Sequence, residues 1–160
     1  MGAHQTINIR IAGLGGMGIL KSSQVLADVL FRSGYDVKKA EVHGMSQRGG
    51  SVASDIRFGD RILSPMIPDG EIDYLLILAP AEVALHQPAL RPGGVLINAA
   101  AFDQVALPNR KSLNIAMLGT LSRYLDLPVE VWTRTIMETF PENLHAANVA
   151  SFNTGRALVK

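Results

Sequence analysis

The sequence predicts an α/β fold with three layers, in which a mixed, mostly parallel sheet carries an antiparallel hairpin and C-terminal helices follow. Three observations predict it: a strand–glycine turn–helix–strand opening, a strictly alternating segment at Ser51–Phe58, and continuous helical patterns from Leu113 onward. At 160 residues and 48% hydrophobic composition, the chain can bury one core, so we expect a single domain over residues 1–160.

The opening reads as a βαβ unit. Residues 7–12 alternate and are β-branched, which predicts a strand, and residues 19–33 place Ile19, Leu26 and Leu30 on one helical face before Gly34. A second strand is predicted over residues 36–42. In such a unit the two strands run parallel.

The next segment predicts a change of direction. The eight residues from His43 to Gly50 are too few for a parallel crossover, so the strand over residues 51–58 should run antiparallel to its predecessor. Gly59-Asp60 is a two-residue turn signal, which predicts a hairpin with a fourth strand over residues 61–64. The remaining prediction is strands over 72–79 and 95–98, and helices over 81–90, 113–124, 128–140 and 144–159.

Composition excludes several functional classes. The net charge of +1 and the 6% aromatic content argue against nucleic-acid binding, and no apolar run reaches the roughly 18 residues that span a bilayer. The chain has no cysteine, which excludes a disulfide, a thiolate nucleophile and a chain-borne iron–sulfur cluster. Because the first residues lack signal-peptide features, we expect a cytoplasmic protein with no membrane partner.

The glycine turn, residues 13–18, is the first candidate site. Gly13, Gly15 and Gly18 form a G-x-G-x-x-G motif between a strand and a helix, and Gly16 adds a fourth glycine. Such a turn brings backbone amides close to a phosphate, and Glu41 lies where a dinucleotide fold places a ribose-binding acid. The alternative is that the glycines only allow tight packing of strand on helix.

The His43–Gly50 loop is the second candidate site. It combines glycines with side chains that donate or accept hydrogen bonds, and Arg48 is a permanent forked donor suited to carboxylate or phosphate. The alternatives are that His43 and Gln47 bind carbonyls of the loop itself and that Arg48 pairs with Glu41 or Asp55. We predict cofactor-binding residues and interface residues within it: Ser46, Gln47 and Arg48 for the former, and His43, Met45, Gly49 and Gly50 for the latter.

These segments carry a family resemblance. The sequence G-L-G-G-M-G at 13–18, E-V-H-G-M-S-Q-R-G-G-S-V at 41–52 and S-P-M-I at 64–67 resembles the gamma domain of 2-oxoacid:ferredoxin oxidoreductases. The octapeptide H-G-M-S-Q-R-G-G is most similar to the beta subunit of indolepyruvate oxidoreductase. The segments 114–121 and 148–155 also resemble the C-terminal helices of that family, so the resemblance covers most of the chain.

The resemblance implies an accessory subunit. Enzymes of this family oxidatively decarboxylate a 2-oxoacid to an acyl-CoA, with thiamine diphosphate, Mg²⁺ and 4Fe–4S clusters in partner subunits and ferredoxin or another electron acceptor. No catalytic residue, metal ligand or cofactor bound by this chain alone is implied, and CoA enters as a cosubstrate. The stretch between Ala101 and Leu113 is shorter than the family pattern, which leaves indolepyruvate, phenylglyoxylate and other aryl oxoacids open.

A second functional class is a free-standing dinucleotide-binding reductase or redox-sensing module. The two classes share one geometric expectation: both candidate segments follow strand ends, so the glycine turn and the His43–Gly50 loop should lie at the same edge of the sheet. In the accessory-subunit class, that edge faces the partner subunits.

Overall fold

A computed structural model describes residues 5–43 and 50–160 of the chain. The structure contains five strands: β1 Ile7–Leu14, β2 Asp36–His43, β3 Ser51–Gly59, β4 Ile72–Ile77 and β5 Leu90–Asn98. They form one sheet in the order β2-β3-β1-β4-β5. β3 pairs antiparallel with both β1 and β2, whereas β1, β4 and β5 pair in parallel, so four strands point one way and β3 opposes them.

The helices follow the predicted order with shorter bounds. The 81–90 helix is reduced to one turn, flanked by 3-10 turns that contain Pro80 and Pro88. No helix among the described residues is both long and apolar enough to cross a membrane. The helices are α1 Ile19–Arg32, α2 Val83–His86, α3 Leu113–Ser122, α4 Val129–Thr139 and α5 His145–Ala157.

The sheet is covered on both faces, which confirms the three-layer prediction. On one face the larger core joins Ile9 and Ile11 of β1 to the buried sides of α1, α3, α4 and α5. On the other, Leu75 and Ile77 of β4 pack with Val83 of the short helical segment. Successive strand residues point to opposite faces, so one strand supplies both cores.

The predicted hairpin between residues 51–58 and 61–64 is wrong, whereas the predicted antiparallel direction of β3 relative to β2 is confirmed. Residues 61–64 form no strand, and β3 instead pairs with β2 and β1. Since β3 is a central strand, it has no free edge for a further partner. The chain after Gly59 is held by side chains: the Asp36 carboxylate accepts a hydrogen bond from Ile62 N at 2.7 Å, and Arg57 Nη1 donates to the carbonyl oxygens of Ser64 and Met66.

The closest helix packing is between α3 and α5. A Cβ built on Gly155 would overlap the carbonyl oxygen of Ala116, and one built on Gly119 would overlap that of Phe152. The two backbones therefore touch directly, and Thr120 Oγ1 donates to the Gly155 carbonyl at 2.9 Å. This contact fixes where both helices begin, which determines the shape of the site described next.

Candidate functional site

The glycine turn uses its glycines in two ways. Gly16 and Gly18 have φ angles of +88° and +77°, the left-handed region that glycine enters at least cost. Gly13 has no such angle, but a Cβ there would meet Ile19 Cδ1 at 3.1 Å and Leu78 Cβ at 3.2 Å. The packing interpretation therefore holds for Gly13, whereas Gly16 and Gly18 are needed to shape the turn.

The turn ends in an uncapped helix. Gly18 is the residue before α1 and supplies no side chain, so no described group accepts a hydrogen bond from the backbone N–H of Ile19, Leu20 or Lys21. The Gly18 carbonyl is instead fully engaged, since Ser22 N and Asn114 Nδ2 each donate to it at 3.0 Å. Asn114 thus ties the start of α3 to the start of α1. The first N–H groups of α1, which have no partner among the described residues, form the positive end of that helix.

Both candidate segments reach the same sheet edge where the structure describes them. Leu14, at the end of β1, pairs with Ser51, and His43, at the end of β2, pairs with Val52. Gly15 N donates to the Gly50 carbonyl oxygen at 3.0 Å, which joins the glycine turn to the end of the His43–Gly50 loop. Five of the predicted site residues lie outside the described residues: Met45, Ser46, Gln47, Arg48 and Gly49.

Ser51, Glu82 and His86 interact near that edge, on the face of the sheet that holds the smaller core. Ser51 Oγ donates to Glu82 Oε2 at 2.7 Å, and the same oxygen lies 3.9 Å from His86 Nε2. His86 is buried, and Nε2 has no hydrogen-bond partner among the described residues. Burial, with help from the nearby Arg10 charge, lowers the pKa of His86 below its usual value. This environment favours the neutral form of the ring.

A neighbouring ion pair involves Asp55, one of the acids considered as a partner for Arg48. Arg10 donates to both carboxylate oxygens of Asp55, from Nε at 2.7 Å and from Nη2 at 2.9 Å. This charge-assisted pair raises the pKa of Arg10. The Asp55 carboxylate is thus already paired with a cation. Glu41 Oε1 lies 3.3 Å from Lys39 Nζ. Both acids considered as partners for Arg48 already have a cation beside them.

The strand order argues against the dinucleotide plan. Glu41 could hold a ribose only if β2 lay directly beside β1, next to the glycine turn. Here β3 lies between them, and Glu41 pairs with Ser54. Two inter-strand spacings, roughly 10 Å, separate β2 from β1. The G-x-G-x-x-G motif therefore operates here without its usual acidic partner.

The glycine turn also forms one wall of a cavity of about 840 Å³, which we call the basic cavity. The N-terminal ends of α1, α3 and α5 converge on it. Its lining contains three cations and no carboxylate among the described residues. The sequence did not predict this cavity, although Asn114 and Asn148 open the two C-terminal segments that carry the family resemblance. The polar lining residues are Lys21, Asn109, Arg110, Lys111, Ser112, Asn114 and Asn148.

Comparison with known proteins decides the family. The profile of the pyruvate ferredoxin/flavodoxin oxidoreductase family matches residues 8–112. The chain belongs to this family. It is 42% identical to the indolepyruvate oxidoreductase subunit IorB of Pyrococcus horikoshii and 34% identical to that of Thermococcus kodakarensis, each over 148 residues that cover 91% of this chain and 72% of the relative.

The fold agrees with that assignment. The chain superposes on the gamma subunit of a keto/oxoacid ferredoxin oxidoreductase from Geobacter sulfurreducens with a TM-score of 0.77, at 19% identity and 94% coverage of both chains. At that identity the likeness establishes the fold alone. The resemblance predicted from the glycine turn and the H-G-M-S-Q-R-G-G segment is confirmed at the level of family and fold.

Proposed function

We propose that the chain is the gamma-type accessory subunit of a 2-oxoacid:acceptor oxidoreductase complex, and that the complex acts on an aryl 2-oxoacid such as indolepyruvate. The observation that carries the proposal is the identity of 34–42% to the two IorB subunits over most of the chain. The family match by itself supports a subunit of a 2-oxoacid oxidoreductase. The aryl substrate goes beyond that match and is the part that we propose.

The proposal divides the labour between this chain and its partner subunits. It has no cysteine to bind a cluster. Among the described residues, no group of three His, Asp or Glu side chains is placed to hold a metal ion. In our proposal, thiamine diphosphate, Mg²⁺ and 4Fe–4S clusters belong to partner subunits, CoA is the cosubstrate, and ferredoxin or a similar protein accepts electrons. Residues 1–160 act as one gamma-type domain in a cytoplasmic complex.

The partner-facing surface in this proposal is the edge that holds the glycine turn and the His43–Gly50 loop. The hydrogen bond between Gly15 and Gly50 places both segments together, which supports a single contact surface. We assign cofactor contacts to Gly15, Gly16, Gly18, Ser46, Gln47 and Arg48, and subunit contacts to His43, Met45, Gly49 and Gly50. Gly13 contributes through packing, and the others through backbone approach or donated hydrogen bonds.

Co-purification tests the function. The chain is expressed alone and together with its genomic neighbours, and the bound thiamine and iron of each preparation are measured. We expect a colourless, inactive chain alone, and a brown complex that oxidises aryl 2-oxoacids in the presence of CoA. A pure chain that oxidises a 2-oxoacid by itself, with thiamine diphosphate and a dye acceptor added, would contradict the accessory role.

Arg48→Ala tests the surface. Removing a buried, charge-paired hydrogen bond costs about 2–5 kcal/mol, so we expect weaker assembly or a higher apparent KM for CoA, with the melting temperature of the chain unchanged. Lys38→Gln is the control, because Lys38 lies near the start of β2, at the opposite end of that strand from the His43–Gly50 loop. A lower melting temperature of the isolated Arg48 variant, together with normal assembly and CoA kinetics, would assign Arg48 to the chain's own stability instead.

A further inference from the structure

A second cavity lies at the edge of the sheet opposite the glycine turn. Ile7, the first residue of β1, lines it together with Phe58, its antiparallel partner, whereas the glycine turn begins at the other end of β1. The volume of this cavity is about 430 Å³, which lies in the range of small-molecule sites. We call it the tyrosine cavity, because all three tyrosines of the chain, Tyr35, Tyr74 and Tyr124, line it.

The aromatic rings of the cavity come from segments that are far apart in sequence. Tyr35 lies between α1 and β2, Tyr74 in β4, and Tyr124 between α3 and α4. The ring centres of Tyr74 and Tyr124 are 5.8 Å apart with their planes tilted by 48°, and the ring of Tyr35 meets the buried ring of Phe58 edge-on at 5.0 Å. Tyr124 is 41% exposed and Tyr74 is half-buried, so both remain accessible to a ligand. The face of an aromatic ring is electronegative and attracts a cation.

The charged side chains leave the cavity with a negative charge that has no partner. Asp73 is buried and both of its carboxylate oxygens are engaged, because Asn8 N donates to Oδ2 at 2.7 Å and Arg91 Nε donates to Oδ1. The positive charge of Arg91 is thus balanced by Asp73. Asp126 also lines the cavity, and it forms no ion pair with a cation that the structure describes.

Two helix ends add a field of the same sign. Tyr35 and Tyr124 lie just beyond the C-terminal ends of α1 and α3, which are 14 and 10 residues long, and such ends carry a partial negative charge. Burial, with a further contribution from the Asp73 charge, raises the pKa of Tyr74 above its usual value of about 10, so its hydroxyl stays protonated at neutral pH. The rings, the free carboxylate and the helix ends all favour a positively charged ligand.

We propose that the tyrosine cavity binds the ammonium group of an organic amine, held against the rings of Tyr74 and Tyr124 and beside the carboxylate of Asp126. Aromatic rings suit an alkylammonium better than a hard metal ion, which requires several oxygen ligands. The inference does not rest on the proposed function. A free amine and a lysine side chain of a partner subunit are the two sources of this chemistry.

The test is a nuclear magnetic resonance titration of the full chain with isotope-labelled tyrosine rings. Because every tyrosine of the chain lines the cavity, the ring signals report on this site directly. We expect n-butylammonium, which resembles the end of a lysine side chain, to shift these signals saturably, and binding to weaken as salt increases. Butyrate, of similar length and opposite charge, is the matched control and should leave the signals unchanged. Signals that do not respond to butylammonium, or that respond equally to butyrate, would contradict the proposal.

Two variants of Tyr124 separate the ring from its hydroxyl. Tyr124→Leu keeps an apolar side chain but removes the aromatic face, so butylammonium should bind about fivefold more weakly. Tyr124→Phe keeps the face and should bind nearly as well as the wild type. Since this position is exposed, both variants should melt close to the wild-type temperature. An equal loss of affinity in both variants would assign the contact to the hydroxyl and overturn the proposal.

Asp126→Asn tests the charge. We expect about threefold weaker binding at low salt, as is typical of an exposed ionic contact. Asp103→Asn is the matched control, because Asp103 is also exposed but does not line the cavity. Equal losses in the two variants would mean that butylammonium responds to the charge of the whole surface, and the site assigned here would be wrong.

The co-purified complex identifies the source of the ammonium group. Binding of butylammonium to the isolated chain that disappears in the complex supports the site and assigns it to a lysine of a partner subunit, whereas binding in both preparations supports the site as one for a free amine. If the isolated chain binds no butylammonium while the complex assembles and turns over, this inference fails and the proposed function stands. If the chain binds it but no oxidoreductase complex forms, the reverse holds.

Discussion

Helices α3 and α5 meet in two very different ways along their length. In one, Gly119 of α3 and Gly155 in the last turn of α5 allow backbone to touch backbone, with no room for a single added carbon. In the other, residues at the N-terminal ends of both helices line the basic cavity, together with Gly16 and Gly18, which adopt left-handed backbone angles. Glycine thus allows close helix packing in the first region and a left-handed backbone conformation in the second.

The comparison shows how the rigid contact between α3 and α5 can determine the shape of the basic cavity. Because the two helices cannot slide past each other at Gly119 and Gly155 without a backbone clash, the positions of both N-termini are restricted. Asn114 then carries that position across to α1 through its hydrogen bond to the Gly18 carbonyl. The close contact between α3 and α5 is thus the reason that the basic cavity has a defined shape.

The largest effect is expected where the helices touch. Gly155→Ala should lower the free energy of unfolding by at least about 3 kcal/mol, since its new Cβ overlaps the Ala116 carbonyl and the backbones must separate. For a domain of this size the melting temperature should fall by roughly 6–12 °C. The sign is informative, because glycine to alanine within a helix otherwise stabilises by about 1 kcal/mol.

Asn153→Ala is the control on the same helix. Its side chain is exposed, so the substitution should change the melting temperature little. Equal stability of the wild type and the Gly155 variant would mean that the helices can move apart freely, and the argument that this contact fixes the cavity would be lost.

The next effect is expected at the glycine turn. Gly18→Ala adds a Cβ in the left-handed region and places it against the Asn114 amide, so the strain and the loss of the hydrogen bond together should cost about 2 kcal/mol. Gly16→Ala carries similar backbone strain with no atom within 4 Å, and should cost about 1 kcal/mol. Urea unfolding measures both, and an equal cost for the two variants would show that the tie to Asn114 contributes nothing.

The smallest effect is a pH dependence on the second face of the sheet. The pKa of His86 is lowered in the folded chain from its usual 6.5, so the unfolded chain binds a proton that the folded chain resists. Stability should therefore fall as the pH decreases below about 6.5, and continue to fall until the lowered pKa is passed. His86→Leu should flatten this decline in urea unfolding measured between pH 7.5 and pH 5.

Glu82→Gln provides the converse variant. The Glu82 charge opposes the lowering of the His86 pKa, so its removal should make the decline with falling pH steeper. The Ser51 hydroxyl can still donate to a glutamine at this position. An identical pH profile in all three proteins would mean that His86 titrates normally.

Local sequence determined much of this protein. The alternating residues of β1 and β3, the apolar face of α1 and the helical segments after Leu113 all lie close to their predicted positions, because periodic burial and helix ends are encoded by neighbouring residues. The glycine turn and the octapeptide also determined the family. The antiparallel direction of β3 followed from the short connection alone.

Tertiary structure decided the partners and the cavity. Residues 61–64 have the composition of a hairpin strand, but pairing of β3 with β1 and β2 leaves them no edge. The basic cavity joins residues 16–21, 109–114 and 144–148, and no local pattern specifies that three helix ends will meet. Their meeting depends on the close contact of α3 with α5 and on the link from Asn114 to Gly18, which exist only once the distant segments have packed.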